Sequence, residues 1–496
     1  MKWKGKVLSG IVMLLPWLVQ AQSFTETALL FSRTKPAGSA RILGMGGAQT
    51  SLGGDYSSAL SNPAGLGMFN RSEFTLSPGF YGSTIDSKYL GNTTPDSKTN
   101  LHIPGFSLVF QTEQDGRSGF LSGTFAVSYN RINNFNQVFS YNGHNPNNSI
   151  IDYFIEDADG FPVSEFNNNG ALYNSVTWLG YQNYLIEEVS NPGEYTSVVL
   201  GFPDQSETVQ YRGNQGQWNL SYGANLSDKV FLGAGIGLTT LRFSSKKTYR
   251  ESFEGEPLNT ILLEEELTIR GSGINATLGI IGRPLDMVQL GVSYTTPTLY
   301  SITDVYSAYM ATNWNNFDYY GDGSTILNSV WEQTDEMISE YSLRTPGKLS
   351  AGVAVFLNKY GFVSADVDIV NYSGARYSSG LSGISFNGDN ESIKLAYQTT
   401  ANIRLGGEFR LDKLRFRAGG SYMPDPFKTE QNNSSRAITS VSGGVGYRAQ
   451  KFYVDFAMIF SQGANTYRPY RVNSDSPLVT MDNKTSFGIV TLGFPF

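Results

Sequence analysis

The chain contains no cysteine in 496 residues, and its histidines are His102 and His144. Without thiols it has neither a disulfide framework nor thiolate metal sites. The two histidines lie far apart and form no His-x-x-x-His or His-Glu-x-x-His spacing, so no histidine zinc motif is present. Charge is also scarce, at 16% of residues against about 25% in an average soluble domain. The formal net charge of −7 leaves no basic surface to neutralise nucleic-acid phosphates. Long hydrophobic runs are missing too: none approaches the ~20 consecutive apolar residues that a membrane-crossing helix requires.

What is abundant is glycine and aromatic side chains: 54 Gly, 31 Phe and 29 Tyr. The start of the chain, "MKWKGKVLSGIVMLLPWLVQAQ", has Lys2, Lys4 and Lys6, a short apolar run from Ile11 to Val19, and Val19-Gln20-Ala21. This pattern predicts a secretory signal peptide over residues 1–21, cut after Ala21. An exported, aromatic-rich and charge-poor chain fits a transmembrane β-barrel, whose outer face needs no charge.

Alternation supports the same class. Phe452, Val454, Phe456, Met458 and Phe460 share one face, while Tyr453, Asp455 and Ala457 share the other. "WNLSYGANL" (218–226) and "GFVSADVDI" (361–369) repeat the pattern. A soluble β-sandwich also alternates, but the turn spacing here is asymmetric. Short connections fall at 227–229, 283–286, 358–360, 412–413 and 448–450. Long polar stretches fall at 83–104, 132–210, 304–342, 377–392 and 464–483. Short turns on one side and long loops on the other are the signature of an outer-membrane barrel. The patterns predict an all-β, closed antiparallel barrel of about fourteen strands: 73–83, 104–112, 119–133, 209–226, 230–250, 258–282, 287–302, 343–358, 361–376, 393–411, 414–424, 437–449, 451–463 and 484–496. The two-residue turn at Asp412-Lys413 sets Glu408 opposite Arg417 and Arg410 opposite Arg415 on the inner face. Within the longest loop, Leu172, Val176, Leu179 and Tyr184 are spaced as one face of an amphipathic helix.

Residues 41–69 carry glycines at 44, 46, 47, 53, 54, 65 and 67 and end near Asn62-Pro63-Ala64. No Gly-Lys-Ser/Thr follows and no βαβ pattern surrounds the run, so it is not a phosphate loop. Gly44-Met45-Gly46-Gly47-Ala48, then Asp55 and Ala59, then Asn62-Pro63-Ala64 resemble the start of mature FadL/TodX-type outer-membrane proteins, the long-chain fatty acid and hydrocarbon channels. "GVSYTTP" (291–297), "LRTPGKLSAGVAV" (343–355), "ADVDIVNYSGAR" (365–376) and "RAGGSYMPDP" (417–426) extend the resemblance along the chain. The long loop at 132–210 departs from the family pattern.

The resemblance implies a fourteen-stranded barrel (residues 73–496) with an N-terminal lumenal hatch over 22–72. Gly44, Gly46, Gly47, Asn62, Pro63 and Ala64 are expected to hold the hatch against the barrel wall, near its third strand. The implied function is passive uptake of hydrophobic molecules, long-chain fatty acids above all, with no enzyme activity, cofactor or metal. The alternative is a barrel of the same type that works through protein interaction or secretion. Outer-membrane lipid is an expected partner, as is the barrel-assembly machinery, through a last strand ending in Phe496. Inside the barrel, Arg404 and Arg417 suit a ligand carboxylate; a structural ion network is the other reading of both. Phe24, third residue of the expected mature chain, either occupies ligand space or frays with the terminus.

Overall fold

The computed structural model describes residues 23–113, 119–429 and 434–496. The expected signal peptide lies outside the described residues. Among them, fourteen antiparallel strands close into a barrel, the first pairing with the last through Phe74↔Phe494. In chain order they begin with β1 (Glu73–Tyr89), β2 (Asn92–Glu113), β3 (Phe120–Asn134, continued by Gln137–His144) and β4 (Asp204–Leu226). Next come β5 (Val230–Ser252), β6 (Leu258–Leu285), β7 (Val288–Thr295, resumed over Leu299–Asp318) and β8 (Met337–Arg344, then Lys348–Phe356). The circle is completed by β9 (Gly361–Asn371, then Arg376–Ser378), β10 (Thr399–Leu411), β11 (Leu414–Met423), β12 (Ile438–Arg448), β13 (Tyr453–Tyr467) and β14 (Val479–Pro495).

The interruptions in β7 and β8 have one cause. Pro297 and Pro346 each lack the N–H that a ladder needs. The two breaks lie side by side, bridged by Thr345 N donating to Thr298 O at 3.0 Å and Thr298 N donating to Thr345 Oγ1 at 3.1 Å. At the opposite end the connections are tight. Asp412 takes φ 50° and Ser227 and Asp228 take φ 59° and 55°, the left-handed conformation that short polar residues tolerate best. The turn at Asp412 gives the register that the spacing predicts: Leu411↔Leu414, Phe409↔Phe416, Glu408↔Arg417 and Arg410↔Arg415.

Several of the expected loops contain regular structure, 132–210 among them, with the strand Gln137–His144 and two helices. Residues 83–104 form the ends of β1 and β2, meeting at Leu90-Gly91. Residues 304–342 contain a hairpin of the β7 extension with Ile326–Gln333. Beyond the membrane a strand needs no apolar face, so such residues read as loop. The start of the expected strand 393–411 is instead the end of a helix, α6 (Asn387–Ala396), and β10 begins at Thr399.

Outward side chains make an apolar belt. Trp218, Leu220 and Tyr222 on β4, Val230, Leu232, Ile236 and Leu238 on β5, and Ile274, Leu278 and Ile280 on β6 are all exposed. Among the described residues no helix is long and apolar enough to cross a membrane; the belt identifies the strands as the spanning elements. Inward positions at the same level are polar: Ser128, Gln217, Asn219 and Ser221 are buried. At the long-loop end, residues 145–203 fold into a cover. It holds α4 (Ile150–Ala158) and α5 (Val176–Gln182), with Phe154 and Leu179 in the apolar cluster beneath. The predicted helix therefore exists, shortened by Tyr184, whose φ of 62° cannot continue it.

Candidate lumenal binding site

Residues 23–69 lie inside the barrel. They form α1 (Phe24–Ser32), α2 (Ala40–Leu43), α3 (Ser58–Ser61) and a 3-10 turn at Pro63–Met68. The glycines let backbone meet backbone. Gly46 takes φ +67°, and a Cβ there would fall 2.7 Å from Gly420 N and O and 2.9 Å from Leu405 O. Strand glycines answer from the wall: a Cβ on Gly406 would fall 2.2 Å from Met45 O, and one on Gly233 2.2 Å from Ala64 N. Gly44 packs near Gly444 and Ala457. Gly47 is enclosed by the Pro36 ring.

Asn62 and Pro63 lie mainly against β4–β7 rather than at the third strand. Asn62 Nδ2 donates to Thr50 O at 2.6 Å and reaches Ile280 O and Val292 O at 3.4 and 3.5 Å. Its Oδ1 accepts from Ala64 N at 3.2 Å, so it caps the 3-10 turn that Pro63 starts. Ala64 is buried with Phe231 and Ile281. A second anchor has no local signature in the sequence: Asp366 Oδ2 accepts from Gln49 N (2.7 Å), Thr50 N (2.8 Å) and Thr50 Oγ1 (2.8 Å).

The two arginines proposed for a ligand part company. Arg417 is fully buried between Glu408 (2.8 Å) and Asp455 (2.7 Å), in a network with Arg41, Arg410 and Arg448. Removing one member of such a network strands a buried charge, so Arg417 holds the wall together and ties it to Arg41 of the lumenal segment. Arg404 contacts Asp368 at 2.5 Å and Asp366 at 3.7 Å, yet it also faces a cavity of about 120 Å³. Lys35, Lys348 and Asp368 line the same cavity. Three cations face one carboxylate there. Arg404 Nε is buried there without a hydrogen-bond partner, and Lys348 meets Asp368 through charge.

Phe24 is not frayed. Its ring meets Tyr341, Tyr377 and Phe386 edge to face at 5.4, 5.0 and 5.0 Å. Ser23 caps α1, Tyr397 OH donates to Thr25 O at 2.7 Å, and Arg33 donates to Arg436 O at 2.8 Å. A cavity of about 290 Å³ lies between Leu29 and Leu30 of α1 and the wall at Phe139, Phe243 and Tyr397. A third, of about 100 Å³, is lined by Leu43, Pro104, Ile132, Ile438, Ile459 and Phe487. Lys35 borders all three.

The third cavity adjoins a fault in the wall. β2 pairs with β3 from Glu113↔Ser122 up to Gly105↔Asn130 and no further. Beyond it, β2 pairs with β1 alone, and β3 shifts register between Arg131 and Asn133 while pairing with β4. Pro104 supplies no N–H at that point. The outward Leu101 beside the fault is 84% exposed. Contact resumes higher up, where Asp96 Oδ2 accepts from Ser140 N at 2.7 Å. Of the two histidines, His102 stacks on Phe487 in this third cavity and His144 pairs with Asp204 at 3.1 Å; they do not meet.

The fold has solved counterparts. The chain is similar to a structure described as a Pseudomonas aeruginosa FadL homologue, at 14% identity and a TM-score of 0.59, covering 94% of this chain and 100% of that one. It is also similar to the Pseudomonas putida toluene transporter TodX, at 14% identity and a TM-score of 0.50, covering 92% and 98%. No protein-family model matches the sequence, and no curated protein does. At this identity the likeness establishes the closed fourteen-strand barrel.

Proposed function

We propose that the chain is an outer-membrane channel for passive uptake of hydrophobic molecules, best suited to long-chain carboxylates such as fatty acids. The observation that carries this reading is a set of three neighbouring lumenal cavities that share Lys35 on their linings, basic at Lys348 and Arg404, largely apolar at the third, which borders the break between β2 and β3. A carboxylate headgroup is matched by the excess of positive charge there, the Lys348 ammonium that shares Asp368 with Arg404 and the free edge of Arg404. The tail is matched by Ile438, Ile459 and Phe487. The lumenal segment acts as a hatch: Asn62, Pro63, Ala64 and the Gly44–Gly47 cluster seal the short-turn end, which faces the periplasm. The way out is sideways, through the gap and into the bilayer. The names of the solved counterparts agree with a hydrophobic cargo.

The test is equilibrium binding of a radiolabelled C16–C18 fatty acid to purified protein, alongside toluene and a neutral alkane. Lys348→Ala with Arg404→Ala is expected to weaken the acid and leave the alkane unchanged. Equal loss of both, or no binding by the wild type, would refute the headgroup assignment. A stable stoichiometric protein partner in place of bound lipid would favour the secretion-type alternative.

A further inference from the structure

On the outer surface beyond the apolar belt, several lysines are matched by carboxylates. Lys246 pairs with Glu266 at 2.7 Å, Lys88 with Asp482 at 2.8 Å and Lys484 with Asp86 at 3.2 Å. One stripe sets like charges against each other. Arg242 on β5 stands directly opposite Arg270 on β6, and both are exposed. Two strands on, exposed Arg344 of β8 stands directly opposite Arg376 of β9. Like charges in direct cross-strand register are destabilising, and the outward face carries the arginine arrangement twice. Exposed Arg212 of β4, opposite Ser244, adds a further cation beside the first pair; its Nη2 reaches Gln210 Oε1 at 3.0 Å. Among the described residues none of Arg212, Arg242, Arg270 or Arg344 has a carboxylate within 4.0 Å. Inside the barrel, by contrast, the Arg410↔Arg415 pair has Glu408 at 2.9 Å from Arg410.

The height of the stripe points to what it meets. Arg242 lies four residues beyond Leu238, and Arg270 four residues before Ile274; both apolar residues are exposed in the belt. Four residues of a tilted strand rise about 10 Å, which puts the guanidinium groups at headgroup level. Their aliphatic stems can lie down along the belt. Planar guanidinium pairs suit phosphate oxygens two at a time.

We propose that Arg212, Arg242, Arg270 and Arg344 form a docking stripe for the phosphate-bearing headgroups of outer-leaflet glycolipid. The orientation rests on the outer-membrane reading above, in which the long-loop end faces outward. Lipid phosphate then replaces the missing carboxylates, relieves the like-charge pairs and fixes the depth of the barrel.

The test uses the full protein in mild detergent, with native mass spectrometry and bisphosphorylated lipid A as probe. Dephosphorylated lipid A and inorganic phosphate serve as the other two arms. Wild type is expected to retain the phosphorylated lipid and not the dephosphorylated one, with millimolar phosphate displacing little. Arg242→Gln with Arg270→Gln is expected to weaken retention by about tenfold or more, since both charge-assisted contacts to phosphate are lost. Lys246→Gln, which breaks a matched pair, is expected to change nothing. Equal retention of both lipids by the wild type would overturn the proposal, even where the double variant fails to assemble. So would undiminished retention by a folded double variant, or binding of free phosphate as strong as that of the lipid. Fatty-acid binding in the lumen is expected to be the same in wild type and the double variant, so failure here is separable from failure of the transport reading.

Discussion

Replacing Phe24 by alanine probes how the lumen is kept occupied when no ligand is bound. The ring is half-buried, so its transfer term lies near the lower end of the ~1.5–3 kcal/mol range for an aromatic or aliphatic side chain. Its three edge-to-face partners, Tyr341, Tyr377 and Phe386, add roughly 0.5–1.5 kcal/mol each beyond area, but contacts sharing one ring are not additive. A net loss of about 2–3 kcal/mol in the docking of α1 follows. Thr27 Oγ1 still contacts Tyr377 OH at 2.9 Å and Arg33 still reaches Arg436 O, so the helix loosens without leaving. Hydrogen exchange followed by mass spectrometry is expected to show amides 25–30 opening ~30- to 150-fold more often, while β4–β6 stay unchanged. A docked α1 takes up lumenal space, so loosening it raises the fraction of protein ready for a ligand tail, and fatty-acid affinity rises with it. If exchange in 25–30 rises and affinity does not, Phe24 holds the helix but not ligand space. If neither changes, the aromatic cage does no anchoring.

Further expectations concern the hatch, the outer extension and the sealed end. Gly46→Val places a β-branched side chain at φ +67° against Gly420 and Leu405; backbone strain alone costs ~1–3 kcal/mol, and limited trypsin digestion at Arg41 should accelerate with the barrel intact. Asn62→Ala with Pro63→Ala should act likewise, and planar-bilayer recordings should then show ion conductance that the wild type lacks. Burial raises the Glu207 carboxyl to about 7, against the lowering effect of Lys247 and the Tyr467 and Tyr141 hydrogen bonds; Glu207 lies well beyond the belt. Its folded value exceeds its unfolded one, so its stabilisation is present below about pH 4.5 and is lost as pH rises through 7. Protection in 137–144, relative to the intrinsic exchange rate at each pH, should therefore be lower at pH 8 than at pH 5.5, and Glu207→Gln should flatten that difference. Because the chain has no cysteine, Gly44→Cys with Ala457→Cys can be oxidised cleanly; the Cβ positions lie 3.4 Å apart, close to the disulfide range. With a lateral exit, this lock should leave uptake unaltered.

The sequence carried the barrel because half of each spanning strand must face lipid, and that demand writes alternation into residues such as 452–460. The tight turn at Asp412 was equally legible, since two residues leave one register for Leu411 and Leu414. Legibility ended where the membrane did. Residues 83–104 are strand, but Lys88 and Lys484 are answered by Asp482 and Asp86 on β14 and β1, and no local pattern shows pairing across hundreds of residues. Inside the lumen the same limit applied. Arg404 and Arg417 read alike, as inward arginines on neighbouring strands. Only the fold shows that Arg417 is enclosed by Glu408 and Asp455 while Arg404 keeps an edge on a cavity. Asn62 announced a rigid turn, but its reach to Ile280 and Val292 depends on strands more than 200 residues away. Pro104 marks where β2 cannot donate; that β3 leaves it there is a property of the closed barrel.

The central claim, that hydrophobic acids pass through this lumen and leave between β2 and β3, is tested by uptake of a radiolabelled long-chain fatty acid into cells. A strain lacking the protein is compared with one expressing wild type and one expressing His102→Cys with Arg131→Cys. Short bifunctional thiol reagents of graded length then bridge the gap in the double variant. Uptake is predicted to depend on the protein, to survive the two substitutions, and to fall when the bridge forms. Uptake that persists across a bridged gap, or that is the same without the protein, would contradict the account.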